Sequence, residues 1–217
     1  MANKEISELT VGTTPDGTEL VHGVQSGNSR KWTFANFLAW WLLDEDDFST
    51  DSATKPPSQQ SVKAYVDAHG VVQRVNVQDG AVATGTDQIP ADDTIPQSDE
   101  GNEVMTLAIT PTNASNILEI DVVVATSNTA VVYTVAALFQ DSVAGALAVV
   151  PILIRTGQDP NTLSFRHTMV AGTTSATTFK VHIGGNGAGT MTFNGWGSAR
   201  KYGGVMASSI TITEYAA

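Results

Sequence analysis

From residue 104 to residue 217 apolar and polar positions alternate with a period of two. Met105, Leu107 and Ile109 alternate with Thr106, Ala108 and Thr110. Leu118, Ile120, Val122 and Val124 alternate with Glu119, Asp121 and Val123. Val131, Tyr133, Val135, Ala137 and Phe139 point one way along a third run, and Phe179, Val181 and Ile183 flank an outward Lys180 and His182. Met191 and Phe193 repeat the rule, as do the residues from Met206 to Thr213. With Val149–Ile154 and Leu163–Val170 this predicts eight short strands. Turn chemistry separates them at Pro111-Thr112-Asn113, Ser127-Asn128, Asp159-Pro160-Asn161, Gly172-Thr173 and Gly184–Gly189. Short strands at near-regular spacing, with no helix between them, predict an antiparallel β-sandwich or jelly roll.

The first 70 residues follow a different grammar and predict a small α+β module. Gly12–Thr18 reads as a tight reversal between the apolar patches Ile6/Leu9/Val11 and Leu20/Val21/Val24, a hairpin-like unit. Thr33 can cap a helix over Phe34–Leu43, in which Phe34, Phe37, Leu38, Trp41 and Leu42 fall at i, i+3, i+4, i+7 and i+8. Trp40 lies off that face. So much aromatic surface on one short helix calls for a packing partner, in this chain or another. Asp44–Asp47 lacks the ligand spacing of a calcium loop and reads as a solvated break. Ser58 caps a second helix over Gln59–Ala68, with Val62, Tyr65, Val66 and His69 on one face, too few positions for a sustained coiled coil. Residues 71–103 are rich in carboxylates and contain Pro90 and Pro96, which predicts an acidic, extended connector to the sandwich of residues 104–217.

Charge and composition narrow the function. The 217 residues carry 11 Lys and Arg against 22 Asp and Glu, a net charge of −11. That argues against nucleic-acid binding and against docking on anionic lipid. There is no cysteine, so disulfides, thiol nucleophiles and cysteine-held metals are excluded. The start Met1–Ile6 has no apolar h-region, so no secretory leader is expected, and the two longest apolar stretches are too short to span a bilayer.

Motifs that carry catalytic chemistry are scarce in the chain. Among His22, His69, His167 and His182 there is no zinc-binding helix motif. His167 and His182 could pair across a sheet and, with Asp121 or Glu119, hold a metal; the commoner fate of a strand histidine is to face solvent. Glu119 and Asp121 share one strand face, a spacing found on almost any polar strand. Gly184–Gly189 lacks the Lys-Ser/Thr of a phosphate loop and reads as a glycine-rich connection. No catalytic residue, metal or cofactor is expected. The informative segment is Asn194–Gly204, where Trp196, Arg200, Lys201 and Tyr202 cluster. Aromatic faces stack on sugars or cations and the two cations hold anions, so these four are the candidate ligand-binding residues. The alternative is that Trp196 or Tyr202 covers one end of the sandwich or packs on a neighbouring subunit.

Several stretches together resemble tailed-bacteriophage fibre proteins. Ile6-Ser7-Glu8-Leu9 with Pro15-Asp16-Gly17-Thr18-Glu19-Leu20 resembles the opening of many such fibres. Ser58-Gln59-Gln60-Ser61-Val62-Lys63-Ala64-Tyr65-Val66-Asp67 is similar to the T-Q-Q-S-V-K-A-Y-V-D segment that precedes their shafts and knobs, with Pro57-Ser58 where that pattern has Thr. Ile89–Gln97 with Glu100-Gly101 and Met105–Pro111, and Gly189–Gly195 with Ala207–Glu214, resemble fibre-tip modules. The resemblance implies a virion location and a homotrimer with a tip of the tumour-necrosis-factor-like jelly-roll kind. It implies that residues 1–70, with Phe34, Phe37, Leu38, Trp40 and Trp41 as packing residues, contact other virion proteins. The knob would then bind a bacterial surface glycan or protein without a catalytic step. The fibre modules nearly abut here, so the fibre would be short, and tail fibre and head fibre both remain open. A purely structural decoration or adaptor protein is the alternative, and a surface-glycan depolymerase the minor one.

Overall fold

The computed structural model describes residues 20–25, 28–33, 42, 49 and 55–217. The chain divides into two compact units, Met1–Ala68 and His69–Ala217. In the first, strands β1 (Leu20–Gln25) and β2 (Asn28–Thr33) form an antiparallel hairpin in which Gln25 pairs with Asn28. The expected reversal at Gly12–Thr18 lies outside the described residues; Leu20–Gln25 pairs with β2. Thr33, expected as a helix cap, is the last residue of β2. The helix expected over Phe34–Leu43, with Phe34, Phe37, Leu38, Trp40 and Trp41, also lies outside the described residues.

Helix α1 (Gln59–His69) starts where its cap predicts. The Ser61 amide donates to Ser58 Oγ at 3.0 Å, satisfying a donor that the helix itself cannot. Lys63 and Asp67 pair one turn apart on the solvent side. Val62, Tyr65 and Val66, the predicted apolar face, are exposed.

The second unit is a jelly roll. One sheet has the order β5 (Asn102–Ile109), β10 (Thr177–Gly185), β7 (Tyr133–Gln140), β8 (Ala148–Leu153). The other has β3 (Val71–Asp79), β14 (Ser208–Tyr215), β6 (Ile117–Asn128), β9 (Asn161–Val170). All pairs are antiparallel, and chain-distant strands lie side by side in both sheets, the double Greek-key order. The period-two positions of β5, β6, β10, β11 and β14 face inward as predicted; in β7 the alternate set, Ala136 and Leu138, faces that core, while Val135, Ala137 and Phe139 of the predicted run face outward and Val131 and Tyr133 are exposed. Leu118, Ile120, Val122 and Val124 meet Phe179, Val181 and Ile183 in one core with Ile210, Ile212, Met191 and Phe193.

The expected connector 71–103 is corrected by the structure. Val71–Asp79 is strand β3, paired with β14 from Ser208↔Asp79 onward, with Val75 and Val77 packed against the core. Ala83–Gly85 forms β4 beside β11 (Met191–Phe193). The remainder is a strap over the outer face of the four-stranded sheet. Ile89 is fully buried there against Val135, Ala137 and Phe139. Backbone bonds Ile89 N to Gly185 O (3.0 Å) and Ala146 N to Pro96 O (2.9 Å) fasten it. Gly184 makes room: a Cβ there would lie 2.8 Å from Asp87 O. Gly184 and Gly185, expected in a glycine-rich connection, are therefore buried strand residues.

Strand β6 positions the candidate site. Along one edge it pairs first with β14, over Ile117–Val123, and then with β11, over Thr126–Asn128. Where β11 ends, the chain turns out of the sandwich as the loop 194–204.

Candidate functional site

The loop begins at Asn194, which is fully buried and left-handed at φ 54°. Its Nδ2 donates to Asp79 O (2.7 Å) and Ala81 O (3.0 Å), and its Oδ1 accepts from Ser208 Oγ (2.7 Å). Its amide donates to Ala125 O at 2.9 Å, so the Asn194 amide and both polar atoms of its side chain are tied to a strand or its flank. Asn tolerates the left-handed region better than most residues, which suits it to this corner.

Strands β12 (Gly195–Trp196) and β13 (Ala199–Arg200) follow as a hairpin closed by Gly197 (φ 62°) and Ser198 (φ 59°). Two successive positive φ values make the tight two-residue turn whose twist suits a hairpin. The Ser198 amide donates to Thr192 Oγ1 at 3.2 Å, holding the tip against β11. Gly195 is required by close approach: a Cβ there would lie 2.2 Å from the Ala199 carbonyl oxygen.

The four residues singled out in the sequence come together here in part. Trp196 and Tyr202 rings meet edge to face, with centroids 5.6 Å apart and planes at 65°. Lys201 Nζ lies 5.0 Å from the Trp196 ring centroid, a cation–π contact. Arg200 is exposed and its chain passes Gly204. Tyr202, Gly203 and Gly204 are left-handed in succession, at φ 48°, 66° and 94°. A bulky residue at positive φ is a strained placement, and here it leaves the Tyr202 side 72% exposed. Trp196 is half-buried and Val205 is 84% exposed.

The other candidates do not assemble. His167 and His182 lie in different sheets. His182 is buried under the strap rather than facing solvent, its Nδ1 3.0 Å from Glu100 O and its ring 4.7 Å from Phe139. His167 is in register with Ile120 on the inner face, half-buried, and that burial lowers its pKa. Among the described residues no group of three or more His, Asp or Glu could hold a metal. The Glu119/Asp121 pair is bridged by Arg166 from β9, whose Nε donates to Asp121 Oδ1 (2.7 Å) and Nη1 to Glu119 Oε2 (3.1 Å). Asn194, which sequence reasoning left out, builds the loop; its Asn-Gly dipeptide after a strand was the available signal.

No protein-family model matches the chain, and no curated protein matches it. Among solved structures it is similar to an Eiger TNF from S. frugiperda, at 8% identity over 65% of this chain and 92% of that one, with a TM-score of 0.38. It is also similar to the CBM36-1 domain of a multidomain xylanase from the hindgut metagenome of Trinervitermes trinervoides, at 11% identity, 64% and 96% coverage and a TM-score of 0.33. A third is an infectious bursal disease virus structure, Gx strain, at 10% identity, 66% and 36% coverage and a TM-score of 0.32. The jelly-roll assignment rests on the strand order and register of this chain.

Proposed function

We propose that this chain is a fibre protein of a tailed phage or phage-like particle, anchored through its first 70 residues, whose jelly-roll knob binds a bacterial surface glycan or protein without chemistry. The observation that carries the reading is the loop 194–204, an aromatic–cation cluster presented by strained backbone from a rigid sheet end. Binding residues on loops held by a rigid scaffold are the usual economy of such folds. The four sequence stretches that resemble phage fibres, in order along the chain, support the virion assignment. A homotrimer fits the exposed Val62 and Val66 on α1, and many weak knobs on one particle gain about 10²–10⁴ in avidity.

A structural decoration or adaptor role is the second reading, favoured by one feature: Lys201 and Tyr202 already cover Trp196. The depolymerase reading loses its nearest carboxylate pair to Arg166. The discriminating experiment incubates labelled full-length chain with a panel of bacterial strains and measures its mass by light scattering across dilution. Saturable, strain-selective adsorption that falls with Tyr202→Ala, by an assembly three times the 22.8 kDa chain, is expected. A monomer that adsorbs to no strain rejects the reading.

A further inference from the structure

The acidic character of the chain stops short of one region. From Ser142 to Thr213 the sequence holds five cations, Arg155, Arg166, Lys180, Arg200 and Lys201, and a single carboxylate, Asp159. Two of those cations are committed to carboxylates elsewhere: Arg166 to Glu119 and Asp121, and Lys180 to Glu103 at 3.2 Å. Among the described residues the other three, Arg155, Arg200 and Lys201, enter no ion pair.

Those three come from loops that adjoin at one end of the sandwich. The hairpin tip touches the β8–β9 loop, since a Cβ on Gly197 would lie 2.8 Å from Gln158 Oε1. Gln158 is itself pinned, its amide donating to Asn128 O at 2.6 Å. Three residues earlier, Arg155 lines an open groove of about 440 Å³ with Ile152, Leu153, Asp159, Pro160 and Asn161. Two carboxylate residues adjoin these loops directly, and a third, Asp87, lies by the nearby Asn128 end of β6 with its Oδ2 accepting from Asn102 Nδ2. Asp159 is in the groove, and Asp79 lies at the loop base with its Oδ1 accepting from the Ala81 amide at 2.7 Å. Of the remaining carboxylates of the unit, most belong to the strap and to β6.

We infer that this end of the knob takes an anionic polysaccharide, its sugar ring against Tyr202 and its phosphate or carboxylate on Arg200 and Lys201, with the chain continuing toward Arg155. The inference rests on the receptor-binding reading and names the chemistry of the ligand. A planar, exposed phenol suits the apolar face of a sugar, and guanidinium and ammonium groups left without carboxylate partners suit an oxyanion. The net charge of −11 repels polyanions at long range, but that repulsion is screened beyond about 8–10 Å at ordinary ionic strength. Dense polyanions such as nucleic acid, which need many cations in a row, are thereby disfavoured, while a sparsely charged polymer needs only this end.

The test measures retention of the full-length chain by affinity electrophoresis in gels containing phosphomannan, polygalacturonate or neutral dextran, at low and high salt. A single-stranded DNA oligonucleotide serves as competitor. Retention by one or both charged polysaccharides, weakened by salt, with none by dextran, is expected; which one retains tells phosphate from carboxylate. Arg200→Gln with Lys201→Gln weakens retention by about tenfold or more, the loss of one or more charge-assisted contacts. Tyr202→Asn, which suits the left-handed backbone, weakens it without loss of fold. Arg74→Gln, on β3, leaves it unchanged. Equal retention by dextran, an equal effect of Arg74→Gln, displacement by DNA at lower concentration than by polysaccharide, or no retention at all overturns the inference. Adsorption of the same protein to bacteria separates the two readings. Adsorption without polyanion retention overturns this inference and leaves receptor binding standing; neither result leaves neither.

Discussion

Replacing Glu214 by Gln should remove a pH-dependent fastening of the jelly roll. Glu214 is on β14 and is fully buried. Its Oε1 accepts from the Thr112 amide (2.8 Å), Thr112 Oγ1 (2.8 Å) and Asn116 Nδ2 (2.6 Å), and Gln73 Nε2 donates to its Oε2. One carboxylate therefore joins β3, β14 and the turn between β5 and β6. Burial pushes its pKa up, but the hydrogen bonds from Gln73, Asn116 and Thr112 outweigh burial and bring it to about 2, against an ordinary 4.5. Because the folded-state pKa is the lower one, the ionised form stabilises the fold. The contribution is complete above about pH 4.5 and is lost as pH falls toward 2. Full conversion of that gap at about 1.36 kcal/mol per unit gives about 3 kcal/mol. Thr112 is exposed, so solvent screens part of it, and about 2 kcal/mol is the working figure. Urea unfolding of wild type and Glu214→Gln, from about pH 2 to about pH 7, reads the difference directly. The gap between the two should shrink by about 2 kcal/mol as pH falls through this window and level off below it. A gap that stays constant with pH would refute the reasoning.

Three further outcomes test the frame around the site. Asn194→Ala strips the loop base of three side-chain hydrogen bonds and leaves Asp79 O, Ala81 O and Ser208 Oγ without that partner; a loss of about 2–4 kcal/mol in a thermal melt and weaker adsorption to bacteria are expected, and an unchanged melt contradicts it. Ile89→Ala opens a cavity under the strap, costing about 2–4 kcal/mol, and should make residues 86–101 the first site of limited proteolysis; cleavage elsewhere argues against a fastened strap. Gly195→Ala drives a Cβ into Ala199 O, so ligand adsorption should fall while the far-ultraviolet spectrum of the sandwich persists; normal adsorption would show that the hairpin shape is immaterial.

By itself the sequence determined the class of the second unit, because period-two alternation is a local property of each strand. Eight predicted runs correspond to β5 through β11 and β14. It determined the start of α1, because a cap acts three residues away. It also singled out Trp196, Arg200, Lys201 and Tyr202, because four such side chains within seven positions stand out from a surrounding run of small residues. Strand β3 was hidden in its polar neighbours. Only Val75 and Val77 carry its inner face, and its partner β14 lies more than 100 residues later in the chain. The strap was hidden for a similar reason: two isoleucines among carboxylates and prolines give no periodicity, yet one of them, Ile89, fills the gap over Val135, Ala137 and Phe139. Only the tertiary structure decided that Glu214 is a buried fastener, that Arg166 claims Glu119 and Asp121, and that Arg155 joins the loop end. Each depends on contacts between strands distant in sequence. Hydrophobic alternation is written residue by residue, whereas burial and charge pairing are decided by which distant strands become neighbours.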